Sequence, residues 1–140
     1  MKRSLHLAAL WVPVAAYGGA VYYLSSLSRF TVAGQIPDYL LHPAEYAGLT
    51  LLIIRALNGG LIRRIPGTLH LWGVGLAVLY AVSDELHQLH VARRTASLKD
   101  VLSDTLGAVL AVGLAEAIQR AAGRRRRPAP PSGVRGSGTR

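Results

Sequence analysis

Leu7–Leu27 reads LAALWVPVAAYGGAVYYLSSL, 21 residues without one charge. A helix needs about 20 apolar residues to cross a bilayer. A soluble bundle helix would show a polar stripe at helical period, and this stretch has none. Three further apolar segments follow. Tyr39–Leu57 (YLLHPAEYAGLTLLIIRAL) carries His42, Glu45 and, near its end, Arg55. Leu69–Leu89 is apolar until Asp84, and Val101–Ile118 is apolar apart from Asp104 and Glu116. The chain therefore reads as all-α: an integral membrane bundle of four transmembrane helices over residues 1–120. Pro13 and Pro43 are expected to kink the first two helices, which membranes tolerate. Lys2 and Arg3 ahead of an apolar run also fit a signal peptide. The run is too long for a typical signal core and lacks a clear cleavage site, so we read it as a retained helix.

Composition agrees. The 140 residues suit one domain, with 51% hydrophobic and 16% charged residues and a mean hydropathy of +0.30. There is no cysteine, which excludes disulfides and thiolate metal ligands. The net charge of +9 is uneven: seven of the 16 basic residues lie between Arg120 and Arg140. That charge describes a tail, not a nucleic-acid-binding face, and no nucleic-acid partner is expected. The tail, residues 121–140, is Arg/Pro/Gly-rich and is expected to be disordered. Its Arg124–Arg127 cluster would rest against anionic membrane lipids.

Lysines and arginines also set the expected orientation. Twelve of the 16 precede the first span, surround the loop after the second, or follow the fourth; only Arg29, Arg93, Arg94 and Lys99 fall on the other side. Basic loops stay in the cytoplasm, so both termini are expected there, with the chain a multi-pass protein of the plasma membrane.

Six of the seven acids gather on the opposite, extracytoplasmic side: Asp38, Glu45, Asp84, Glu85, Asp100 and Asp104. At about 100° per residue, Asp38, His42, Glu45 and Leu49 share one stripe of the second helix. Tyr80, Asp84, His87 and Gln88 share a face of the third, with Glu85 at its edge. Asp100, Asp104, Gly107 and Ala111 line up on the fourth. Ionisable groups inside a span are costly and usually face the bundle interior or a wet cavity. The three stripes are thus expected to face one another, with Arg93 and Arg94 of the short loop as counter-charges. Ser97 and Asp100 make a capping-box-like pair at the start of the fourth helix. Gly107, Ala111 and Gly113 permit close helix approach.

At these residues the chain resembles the VanZ-like family, small integral membrane proteins named for a teicoplanin-resistance determinant. The resemblance rests on YYLSSLS with Ser25 and Ser26; HPAEY with His42, Glu45 and Tyr46; DELHQ with Asp84, Glu85, His87 and Gln88; Arg94 and Ser97 in the loop; and DVLSDTLG with Asp100, Asp104 and Gly107. It covers about residues 5–118. Pro43 stands where members often carry Phe, and VARR replaces a Val-Pro-Gly-Arg loop. The resemblance implies a bacterial plasma-membrane protein linked to glycopeptide or lipoglycopeptide tolerance, and it implies no reaction.

Two kinds of function fit the polar cluster. As a binding site, Asp38, His42, Glu45, Asp84, Glu85, His87, Gln88, Arg93, Arg94, Asp100 and Asp104 would recognise an envelope lipid, a cell-wall precursor or a glycopeptide antibiotic and confer tolerance to it. As an enzyme, paired carboxylates and histidines would supply acid/base chemistry or hold a metal for work on a lipid-linked substrate. No established metal or nucleophile motif is present, so no cofactor is expected. A transporter is disfavoured because the charges sit at one end rather than at the midplane. The competing structural reading is a salt-bridge network that locks the helices.

Overall fold

A computed structural model describes residues 2–27, 38–92 and 94–125, without the side chains of 38, 39 and 125. It contains four helices: α1 (Lys2–Ser26), α2 (Asp38–Asn58), α3 (Gly67–Gln88) and α4 (Leu98–Arg125). No strand occurs among the described residues. Three helices, over Lys2–Ser26, Leu40–Asn58 and Leu98–Arg124, are long and apolar enough to cross a membrane. The helix α3, at 22 residues, is not among these three, and DELHQ makes up its last turns. The helix α4 runs past residue 120, where the domain boundary was expected. The rest of the tail, residues 126–140, lies outside the described residues.

The helix α2 is the centre of the bundle. It packs most extensively on α4, also on α3 and α1, while α1 and α4 do not meet. Five alanines of α3 and α4, Ala77, Ala81, Ala108, Ala111 and Ala115, are buried to 1% exposure or less, and larger side chains of α2, Tyr46, Leu49, Ile53 and Ile54, pack into the space that they leave. Many other large apolar side chains point outward, among them Leu71, Trp72, Leu79, Leu98, Leu102 and Leu110. Helices in lipid associate by close backbone packing rather than by hiding leucines, which lipid solvates equally well. Gly107 is the clearest instance. A Cβ there would collide with the backbone carbonyl of Pro43, so α2 and α4 cross almost in backbone contact. Gly48 plays a milder version of this role, where a Cβ would stand 2.5 Å from the Tyr17 hydroxyl.

Both kink-prone prolines lie inside their helices. Pro13 lacks the N–H that would bond the carbonyl of Ala9. Arg55 of α2 reaches that carbonyl and its neighbour Leu10 O, at 3.5 Å each. The helix α2 ends at Gly59, whose φ of 69° lets Gly60 N–H bond Arg55 O at 2.9 Å. The Asn58 amide and the Gln119 side chain, which accepts from Ile65 N–H at 3.0 Å, hold the following loop.

Candidate functional site

The C-terminal ends of α1 and α3 and the N-terminal ends of α2 and α4 share one end of the bundle. We call it the polar end. Its groups assemble around three contacts.

The first joins α1 to α3. Asp84, 4% exposed, accepts a 2.5 Å hydrogen bond from the Ser25 hydroxyl and a 3.2 Å bond from the Gln88 amide one turn on. Beside it, His87 Nε2 lies 2.9 Å from Ser26 Oγ and Nδ1 lies 3.3 Å from the Tyr22 hydroxyl, with the two rings stacked at 4.2 Å. The Ser26 hydroxyl also donates to Tyr22 O at 2.7 Å. A serine has a single hydroxyl hydrogen. Given to Tyr22 O, it leaves Ser26 accepting from His87 Nε2–H, and Nδ1 accepting from Tyr22 O–H. The set closes on itself and ties α1 to α3.

The second joins α2 to α4. His42 Nδ1 and Asp104 Oδ1 stand 3.4 Å apart, an ion-pair distance that is not a hydrogen bond for either atom. The closeness of Pro43 to Gly107, one turn along from Asp104, sets this approach. Asp104 is 2% exposed.

The third joins α3 to the start of α4. Ser97 is the N-cap of α4: its Oγ accepts from Asp100 N–H at 3.3 Å. In a capping box the residue at the Asp100 position would answer by accepting the cap's own N–H. Here Glu85 of α3 does so, at 2.6 Å from Ser97 N. The expected Ser97–Asp100 box is thus half internal and half supplied by another helix.

Of the expected site residues, the structure brings His42, Asp84, Glu85, His87, Gln88 and Asp104 into these contacts. Glu45 is half-buried and within electrostatic range of His42, Asp104, Asp84 and Arg94. Asp100 is half-buried at the helix start. Arg94 was expected to counter the carboxylates; its Nε and Nη2 instead donate to the Leu27 carbonyl, at 3.3 and 3.1 Å, beyond the end of α1. A helix end leaves carbonyls without partners, and a guanidinium satisfies them well. Arg93 and the side chain of Asp38 lie outside the described residues. The site also has members that spacing within α2, α3 and α4 did not reveal: Tyr22, Ser25 and Ser26 of α1, and Tyr46. Ser25, Ser26 and Tyr46 stood in the YYLSSLS and HPAEY stretches that carry the family resemblance, whereas Tyr22 was not singled out.

Four buried atoms at this end find no hydrogen-bond partner among the described residues: His42 Nδ1, Tyr46 OH, Glu85 Oε1 and Asp104 Oδ1. Leaving a buried polar group unmatched costs about 1–3 kcal/mol, so native structures rarely do it without cause. No group of three or more His, Cys, Asp or Glu side chains among the described residues is arranged to hold a metal ion.

Searches of curated proteins and of solved structures returned no significant match to this chain. The family described as VanZ/LLP1 matches residues 9–119, a span that opens inside α1, takes in every contact of the polar end and closes near the end of α4. With helical membrane architecture, the DELHQ face and the Asp104–Gly107 turn all inside that match, the chain belongs to the VanZ/LLP1 family.

Proposed function

We propose that the polar end is a headgroup-binding site on the outer face of the plasma membrane. Its ligand is an envelope amphiphile: a lipid, a cell-wall precursor or a glycopeptide antibiotic. Holding it would confer tolerance to such an antibiotic. All four helices span the bilayer in this reading, with both termini cytoplasmic, as the distribution of basic residues favours.

One observation carries the reading. His42 and Asp104 offset each other as an ion pair, but a closed lock would satisfy all its groups, and the Tyr46 hydroxyl and Glu85 Oε1 stay buried without a partner among the described residues. Those atoms come from α2 and α3 and suit a polar ligand better than a closed network. The enzymatic alternative draws support from the Ser26–His87 approach at 2.9 Å. However, Ser26 gives its hydrogen to its own helix, and among the described residues His87 bonds only Ser26 and Tyr22, so the pair is a poor nucleophile and base.

The test is teicoplanin susceptibility of a sensitive bacterium expressing wild type or Asp84→Asn, with membrane levels compared by blot. Raised tolerance with wild type and none with an equally abundant variant is the expected result. Equal tolerance from both would refute a role for the polar end. A variant that fails to accumulate would return the cluster to a purely structural lock.

A further inference from the structure

A cleft of about 310 Å3 opens on the flank of the bundle, between α1 and α3 with α2 as its floor. Trp11, Gly18 and Gly19 line it from α1, Leu49 from α2, and Leu76 and Tyr80 from α3. Gly19 faces open space, with no heavy atom within 4 Å of where its Cβ would be.

The cleft points at the polar end along all three walls. On α3, Leu76, Tyr80 and Asp84 follow at intervals of four and so share a face. On α2, Leu49 lies one turn from Glu45 in the same direction. On α1, Gly18 and Gly19 lie two turns below Ser25 and Ser26. Tyr80 marks the boundary. Its hydroxyl donates to Gly18 O at 2.7 Å, and its ring centroid lies 6.4 Å from that of Tyr46, whose own hydroxyl is unmatched. From Trp11 to Ser26 the rise is about 22 Å at 1.5 Å per residue, enough for a long hydrocarbon chain.

Charge indicates what tops the chain. Among the described residues, five acids lie at this end, Glu45, Asp84, Glu85, Asp100 and Asp104, against Arg94, Lys99 and the His42 that pairs with Asp104. The charged groups that are buried there are acids, Asp84, Glu85 and Asp104. Arg94 is turned to the Leu27 carbonyl. A surplus of carboxylates calls for a cation, and an ammonium brings three donors and no acceptor.

We infer that the cleft and the polar end together hold one bilayer lipid, its chain against Gly19 and Trp11 and the protonated amine of its headgroup among Glu45, Asp84 and the Tyr46 hydroxyl. This rests on the headgroup-binding reading above and narrows it to an amine-bearing lipid.

Trp11 supplies the assay, because Trp72→Phe leaves it the sole tryptophan. The full chain is held in detergent micelles with a small fraction of lipid bearing brominated chains, under either a phosphatidylethanolamine or a phosphatidylglycerol headgroup. The ethanolamine lipid should quench Trp11 at about tenfold lower mole fraction, the discrimination of a charge-assisted hydrogen bond. Gly19→Leu, which puts a side chain into the cleft at a position where a Cβ has open space, should abolish that quenching. Glu45→Gln should bring the two lipids together. Equal or stronger quenching by phosphatidylglycerol would overturn the inference while leaving headgroup binding intact. Quenching indifferent to Gly19→Leu would overturn it as well. An ethanolamine preference beside unchanged tolerance in Asp84→Asn would uphold lipid binding and defeat the tolerance role.

Discussion

Gly107→Ala tests the geometry on which the polar end depends. Elsewhere in a helix this change is favourable by about 1 kcal/mol, because alanine is the better helix former. At Gly107 the new methyl group meets the Pro43 carbonyl, a backbone atom that cannot rotate aside. Forcing extra volume into a packed contact costs about 1–3 kcal/mol, occasionally more. Because the clash is with backbone, the upper part of that range applies, about 2–3 kcal/mol, and the net expectation is a loss of about 1–2 kcal/mol with α2 and α4 pushed apart. Gly113→Ala on the same helix is the control, since nothing lies within 4 Å of that position. It should gain stability or stay level. Thermal unfolding of the purified proteins in one detergent reads both. A midpoint lowered by about 4–8 °C is expected for Gly107→Ala, on the scale of small domains. Equal midpoints for the two variants would refute the close crossing, and with it the account of how His42 reaches Asp104.

Arg55→Ala should destabilise the wild type by about 1 kcal/mol and do less when Pro13→Ala is present, because an alanine N–H restores the Ala9 carbonyl's helical partner; a double-mutant cycle with no coupling would rule out this repair. Glu85→Ala should leave the Ser97 amide without its acceptor and speed hydrogen exchange at the first turn of α4, at a cost of about 1–3 kcal/mol; unchanged exchange at residues 97–101 would show that the bond does not hold the cap. The chain has no cysteine, so single cysteines report topology cleanly. With an impermeant maleimide on intact cells, Thr95→Cys should label and Ile62→Cys should not, both positions being exposed; the opposite pattern would invert the proposed orientation.

The sequence alone determined that this is a helical membrane protein, and which residues crowd its polar end. A charge-free run of 21 residues offers a helix no polar face to turn to water and matches the thickness of a bilayer. Acids at helical spacing inside apolar segments must face inward, so Asp84 and Asp104 were legible as buried. Pairing was not legible. Periodicity assigns a residue to a face of its own helix but not to a partner on another. Only the tertiary structure gave Asp84 to Ser25, Glu85 to the amide of Ser97, and Arg94 to a carbonyl rather than a carboxylate. It alone showed that Ser25 and Ser26 of α1 meet Asp84 and His87, since serines and tyrosines ending a span read equally well as interface residues. The close approach of Gly107 to Pro43 decided the rest, because the distance between two backbones depends on what both helices lack at one crossing, and no single stretch of chain records that.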